Sequence, residues 1–227
     1  MRLVRWGHWG RPVLCFPTAG GDAEECERFL LVQALEPLIT TGRIKLYSVD
    51  SIAGAAWVAR RHPPAYCSRL QTRFDAAIYH EVVPAIRGDC HSDDVEITTA
   101  GASIGAFNAL ASLCRHPDVF STAICMSGTY DLSGWLDGEW HDDFYFSSPL
   151  HFLPGLEEGE MLTRLRERFV LLPTGEGEWE DPQQSWRMAD VLGAKSIPNR
   201  VDSWGPEWKH DWPTWRAMLP RYLDELT

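Results

Sequence analysis

The sequence predicts an α/β fold in which a mostly parallel central sheet carries helices on both faces. Two observations predict it: short apolar runs alternate with segments of helical periodicity, and glycine-containing loops separate several of them. The composition agrees, because 44% hydrophobic and 23% charged residues in a chain of 227 are typical of a globular protein with one large core. We therefore expect a single domain over residues 1–227.

The order of elements follows from these runs. Short apolar runs predict strands at 13–16, 44–49, 95–100, 123–126, 168–172 and 200–203. Helical periodicity predicts helices at 29–39, 70–86, 106–114, 160–168, 185–192 and 212–226. A long stretch rich in aromatic residues, Gly and Asp follows the fourth of these strands, and it predicts a lid-like insertion at about 127–165.

Charge and cysteine content exclude several kinds of partner. The formal net charge of −11 is spread along the chain, which argues against nucleic acid and an anionic membrane surface as partners. No run approaches the length of a membrane span and the first residues have no apolar signal core, so we expect a cytoplasmic protein. The six cysteines lack C-x-x-C pairs and are expected to be reduced thiols. We predict neither a metal site nor a cofactor.

A candidate nucleophile lies where a predicted strand meets a predicted helix. The segment Gly101-Ala102-Ser103-Ile104-Gly105 fits G-x-S-x-G, a pattern whose small residues allow a sharp, strained turn that exposes the serine hydroxyl. The N–H of Ile104 would then point from a helix N-terminus toward a developing oxyanion. We expect the second donor to be the N–H of Gly20 in the loop after the 13–16 strand, although Gly20-Gly21 could also be a plain tight turn.

A serine nucleophile needs a base, and chain order favours His210. It follows the last predicted strand, directly before the closing helix, where a serine–acid–histidine order places the base. The acid belongs in the loop after the 168–172 strand, and we favour Glu180 because it lies far enough beyond the strand to reach the histidine. Four other carboxylates remain open as the acid: Asp181, Glu176, Glu178 and Asp131.

Five segments together resemble the putative-esterase family of the α/β-hydrolases, which includes enterobactin esterases, S-formylglutathione hydrolases and mycolyltransferases. They are Phe16-Pro17-Thr18-Ala19-Gly20-Gly21, Gly101-Ala102-Ser103-Ile104-Gly105, Ser148-Pro149, Thr174-Gly175-Glu176-Gly177-Glu178-Trp179-Glu180 and His210-Asp211-Trp212-Pro213-Thr214-Trp215. The resemblance spans nearly the whole chain and implies the α/β-hydrolase fold. It also implies Ser103 as nucleophile, His210 as base, and an acid after the seventh strand of that fold. The chain looks like a minimal member, so we expect no accessory domain of the kind that enterobactin esterases carry, and their siderophore substrate is not implied for this chain.

The chemistry expected from these residues is hydrolysis of a small-molecule carboxylic ester through an acyl-enzyme on Ser103. An acyltransferase would use the same acyl-enzyme with an alcohol or amine as acceptor, and the sequence does not separate the two. A non-catalytic binding protein on the same fold is the third alternative. The complete set of serine, histidine and nearby acids argues against that alternative.

Overall fold

The computed structural model describes all 227 residues and contains one seven-stranded sheet. Its strands are β1 (Leu3–Trp6), β2 (Arg11–Phe16), β3 (Ile44–Val49), β4 (Ile97–Ala102), β5 (Phe120–Met126), β6 (Phe169–Thr174) and β7 (Asn199–Ser203). Their order across the sheet is β1-β3-β2-β4-β5-β6-β7, with β1 antiparallel to β3 and every other pair parallel. The predicted mostly parallel α/β sheet is confirmed.

Twelve α-helices connect and cover these strands. They are α1 (Glu25–Arg28), α2 (Leu31–Ala34), α3 (Glu36–Thr40), α4 (Ile52–Ala59), α5 (Pro64–Ala77), α6 (Val83–Cys90), α7 (Ile104–Arg115), α8 (Asp142–Ser147), α9 (Pro149–Phe152), α10 (Glu160–Leu165), α11 (Pro182–Ala194) and α12 (Trp212–Leu226). None of them combines the length and apolar character needed to cross a membrane. The six cysteines form no disulfide.

Both faces of the sheet are buried. Along β2, Leu14 and Phe16 point into a core cluster shared with α5, α6, α7 and α11, while Val13 and Cys15 point into a second cluster shared with α1–α3 and α12. Successive side chains of a strand alternate between faces, so a strand covered on both sides is buried along its length and rich in apolar residues. This explains why residues 13–16 of β2 form a continuous apolar run.

The structure corrects two predicted helices. The segment predicted as one helix at 29–39 is divided between α2 and α3, because Leu30 adopts a left-handed φ of 63° and Pro37 lies in the first turn of α3. The helix predicted at 70–86 is longer and is interrupted by a π-helical turn at Ile78–Val82, just before Pro84, which lacks a backbone donor. Strand β1 and helix α4 had no counterpart in the prediction.

The topology brings six loops to one edge of the sheet. Strands β2 to β7 all run parallel, so the loops that follow them leave from the same side. Phe16 at the end of β2 is opposite Gly101 of β4, and Ala102 is opposite Met126 of β5. Ligands of open parallel sheets bind at this carboxyl edge, and all the predicted site residues lie in loops or first helical turns there.

Candidate active site

Ser103 occupies a strained turn between β4 and α7. Its backbone has φ 57° and ψ −123°, a combination that a residue with a Cβ adopts only when its surroundings enforce it. The Ser103 N–H donates to the carbonyl of Met126 at 3.0 Å, and its carbonyl accepts from the N–H of Thr129 at 3.2 Å. These bonds to the end of β5 and the residues after it hold the serine in place.

The glycines on either side of Ser103 allow backbones to approach closely. A Cβ on Gly101 would lie 2.3 Å from the carbonyl carbon of Gly105, and one on Gly105 would lie 2.5 Å from the carbonyl oxygen of Phe16. Side chains at either position would therefore collide with backbone atoms. The first turn of α7 thus packs directly on the end of β2, where the Gly20 loop begins.

Two backbone N–H groups, in the segments that follow β4 and β2, are the candidates for oxyanion donors. Ile104 is the first residue of α7, so its N–H has no acceptor within its own helix. Gly20 is exposed in the loop after β2, and its N–H donates to no other atom of the protein. Both groups follow strands that are paired with each other at Phe16 and Gly101, and their role as oxyanion donors stays a prediction.

His210 and Glu180 lie together in the structure. The Nδ1 atom of His210 is 3.5 Å from Oε2 of Glu180, whose side chain is only 1% exposed, while that of His210 is 22% exposed. The separation is long for a hydrogen bond but within ion-pair range. The polar contacts of these two side chains do not include Ser103. The structure thus pairs two of the predicted residues and places the third at the same sheet edge.

Ser127 fixes the other oxygen of Glu180. Its hydroxyl donates to Oε1 of Glu180 at 2.5 Å and accepts from Nε1 of Trp215 at 3.1 Å. Trp215 is buried and its ring also contacts the His210 ring edge to face, with centroids 5.2 Å apart. Thr174 at the end of β6 adds a weaker contact to Oε2 at 3.4 Å. The buried carboxylate is therefore held by hydroxyl donors from two neighbouring strand ends.

The loops that carry Glu180 and His210 are joined by backbone hydrogen bonds. The N–H of His210 donates to the carbonyl of Glu178 at 3.1 Å, and the N–H of Gly177 donates to the carbonyl of Trp208 at 2.9 Å. A Cβ on Gly175 would lie 2.1 Å from the same Trp208 oxygen, so the close approach requires glycine there. The two loops are consequently one connected piece of structure.

The four other carboxylates considered as the acid are engaged elsewhere. Asp181 caps α11 through the N–H of Gln183, Glu178 pairs with Lys209 at 2.9 Å, Glu176 accepts a hydrogen bond from Ser203, and Asp131 pairs with Arg187 at 2.6 Å. The hydrogen bond from Lys209 holds the pKa of Glu178 below its usual range. Of the five candidates, only Glu180 contacts the histidine.

Sequence reasoning did not find Ser127 or the buried carboxylate of Glu25. Ser127 could have been found from its place, since it directly follows β5, which is adjacent to the strand that precedes the predicted acid. Glu25 lies in a short helix after the Gly20 loop and is 6% exposed. A buried carboxylate in an acidic surface segment has no signature in the sequence, because its neighbours Glu24 and Glu27 are exposed.

Comparisons with known proteins give one family match and several similar structures. The model of a protein family described as "Putative esterase" matches residues 46–226. A ferulic acid esterase has a similar structure, with a TM-score of 0.68 and 15% identity, covering 96% of this chain and 85% of that one. The S-formylglutathione hydrolase of Staphylococcus aureus has a TM-score of 0.65 and 13% identity, covering 97% and 82%.

A third similar structure is MPT51 of Mycobacterium tuberculosis, with a TM-score of 0.68 and 15% identity, covering 99% of this chain and 91% of that one. A search of the curated proteins finds no match. At these identities the solved structures establish the fold, and the α/β-hydrolase architecture expected from the sequence is confirmed.

Proposed function

The chain belongs to the "Putative esterase" family and is an esterase, and from that premise we propose that it hydrolyses a small-molecule carboxylic ester through an acyl-enzyme on Ser103. His210 is the general base in this proposal, and Glu180 is the acid that orients it. The N–H groups of Ile104 and Gly20 bind the oxyanion. The scheme uses no cofactor.

The reaction follows from these roles. His210 takes the proton of the Ser103 hydroxyl as its oxygen attacks the ester carbonyl, and negative charge develops on the carbonyl oxygen beside the two N–H donors. The tetrahedral intermediate collapses, and the protonated His210 gives its proton to the departing alcohol. A water molecule, deprotonated by His210, then attacks the acyl-enzyme and releases the carboxylic acid.

The observation that carries the proposal is the pairing of the buried Glu180 carboxylate with His210 at the edge that presents Ser103. A carboxylate that is 1% exposed is costly to bury unless it is paired and hydrogen-bonded. Here it faces Nδ1 of the histidine, which leaves Nε2 as the basic nitrogen. A purely structural role for Glu180 would not need a half-buried imidazole as its partner.

We also propose that the 127–165 segment forms a wall of the substrate site. Three of its apolar side chains, Leu132, Leu136 and Phe144, share a cluster with Ile104 and Phe107 at the start of α7. The segment therefore packs against the turn that follows Ser103. Its aromatic side chains are suited to contact the acyl or alcohol part of an ester.

The test is covalent labelling by a fluorophosphonate combined with hydrolysis of p-nitrophenyl esters of increasing acyl length. Wild type is expected to react with the probe and to turn over short esters, and Ser103→Ala is expected to do neither. Ser121→Ala is the matched control, because Ser121 lies at the opposite end of β5. Labelling that persists in Ser103→Ala would refute the nucleophile, and product formation only in the presence of an acceptor alcohol would indicate an acyltransferase.

A further inference from the structure

The buried carboxylate of Glu25 faces the loop that carries Gly20. Its Oε2 accepts a hydrogen bond from the N–H of Thr18 at 2.7 Å, and its Oε1 accepts one from the Thr18 hydroxyl at 2.9 Å. The residue is 6% exposed. Burial raises the pKa of Glu25, although the two hydrogen bonds from Thr18 oppose the rise. An acidic side chain is therefore buried at a cost in free energy, and both of its oxygens accept hydrogen bonds from Thr18.

The same loop is held from its other side by Ser51, at the start of α4. The N–H of Ser51 donates to the carbonyl of Gly21 at 2.9 Å, and the Ser51 hydroxyl donates to the carbonyl of Ala19 at 3.2 Å. Thr18, Ala19 and Gly21 are thus all fixed. The N–H of Gly20, which lies between them, donates to nothing in the protein. The residues on both sides of Gly20 are therefore held by hydrogen bonds, while the Gly20 N–H has no acceptor.

We propose that Glu25 is a positioning residue that holds the Gly20 N–H at the oxyanion site by fixing Thr18. The inference rests on the proposed function, in which Gly20 is an oxyanion donor. An oxyanion donor contributes only when it is already in place as charge develops, so a loop that drifts by a fraction of an ångström loses much of its effect. Glu25 contacts no reacting atom and acts through Thr18.

Gly21 makes the contact sensitive to one methyl group. A Cβ on Gly21 would lie 2.2 Å from Oε1 and 2.4 Å from Cδ of Glu25, so Gly21→Ala has to push the carboxylate away. The colliding atoms are the far end of a flexible side chain, so the carboxylate can move while the backbone stays. Gly21→Ala is therefore expected to break the hydrogen bonds between Glu25 and Thr18 without removing the charge of Glu25.

The kinetic experiment compares Glu25→Ala, Glu25→Gln and Gly21→Ala with Glu27→Ala, a matched control two residues away whose side chain is exposed. Glu25→Ala and Gly21→Ala are expected to lower kcat about tenfold or more with little change in KM, since the donor acts in the transition state. Glu25→Gln can still accept from the Thr18 N–H and donate to its hydroxyl, so we expect it to lose no more than about threefold. Glu27→Ala should match wild type.

A direct view of the loop separates this inference from the proposed function. The chain has 18 glycines, so protein labelled with 15N-glycine gives an amide NMR spectrum with few signals. The signal that disappears in Gly20→Ala is that of Gly20. The Gly20 signal is expected to move in Glu25→Ala and to stay in Glu27→Ala. Folding of each variant is checked by the remaining glycine signals, and Thr18→Val, which removes only the hydroxyl contact, should give a smaller shift.

The outcomes distinguish the two ideas. If wild type neither reacts with the fluorophosphonate nor cleaves esters, the proposed function fails, and Glu25 has no oxyanion site to serve. If wild type is active but Glu25→Ala and Gly21→Ala keep kcat within twofold of Glu27→Ala, the role of Glu25 is refuted and the proposed function stands. An unmoved Gly20 signal in Glu25→Ala refutes the positioning as well.

Discussion

Replacing Ser127 by alanine tests how the buried acid is held. The Ser127 hydroxyl donates to Glu180 at 2.5 Å and accepts from the Trp215 indole at 3.1 Å, so a single oxygen serves two buried partners. Ser127 has a φ of 46°, and alanine at that φ would be as strained as serine. Ser127→Ala therefore removes the two contacts and relieves no strain.

The cost can be worked from these contacts. A hydrogen bond to a charged group contributes about 1.5–3 kcal/mol, and leaving the buried Trp215 N–H without a partner costs about 1–3 kcal/mol more. We expect the free energy of unfolding of Ser127→Ala to fall by about 2.5–6 kcal/mol, which is large for the loss of one oxygen atom. We also expect kcat to fall about tenfold, because a carboxylate free to rotate orients His210 less well.

A double-mutant cycle with Trp215→Phe separates the two contributions. Phenylalanine has no N–H to be orphaned, so Ser127→Ala should cost about 1–3 kcal/mol less in that background than in wild type. The assay is urea unfolding of the four proteins, with ester hydrolysis measured in parallel and Ser121→Ala as the matched control. A Ser127→Ala variant that loses less than about 1 kcal/mol in both backgrounds and keeps its kcat would refute the reasoning.

Three further predictions follow from neighbouring contacts. Glu180→Gln should lower kcat about a hundredfold or more by removing the charge beside His210. Asp181→Ala should lower the free energy of unfolding by about 1 kcal/mol, because a helix cap is lost, and should leave kcat unchanged. Ester kinetics and urea unfolding measure both variants. Gly105→Ala should destabilise by about 1–3 kcal/mol through its contact with backbone, whereas Gly193→Ala, with open space around it, should stabilise by about 0.5–1 kcal/mol in thermal unfolding. Because burial raises the pKa of Glu25, wild-type stability should fall as the pH rises from the ordinary glutamate value through the higher folded value. Glu25→Gln lacks that loss, so its stability relative to wild type should increase over the same range, and a difference that stays constant with pH would contradict the role of burial.

The parts of the fold that the sequence predicts well are those whose local pattern and final environment agree. The predicted strand at 44–49 and the predicted helix at 212–226 match β3 and α12. The first is buried at every residue, and the second begins where the Asp211 side chain accepts from the N–H of Trp212. Continuous burial and a capped amphipathic segment both leave clear signals in a sequence.

The failures occur where the backbone conformation depends on tertiary contacts. The apolar pattern of 29–39 is that of a helix, but a left-handed Leu30 divides the segment. Strand β1 has only four residues and exists because it pairs with β3 at the sheet edge. Such elements are determined by their partners, and a local pattern cannot show those partners.

The candidate site divides in the same way. Ser103 and His210 follow from a motif and from chain order, because both are tied to the ends of predicted strands. The choice of Glu180 among five carboxylates could not be settled from the sequence, since it depends on how the loop after β6 folds against the loop after β7. Ser127 and Glu25 were not predicted because Ser127 contacts Glu180 and Glu25 contacts Thr18, and such contacts between distant or buried side chains leave no pattern in the sequence.

The backbone link between the loops of Glu180 and His210 has a consequence for changing the specificity of this enzyme. These loops hold each other, through Gly177 and Trp208 and through Glu178 and His210, so we expect the proposed acid and base to stay paired when exposed side chains between β5 and β6 are changed. Combinatorial libraries can therefore randomise the exposed positions of the 133–146 segment while the machinery remains intact. We therefore expect that substitutions in the 133–146 segment change which ester is preferred without removing the activity.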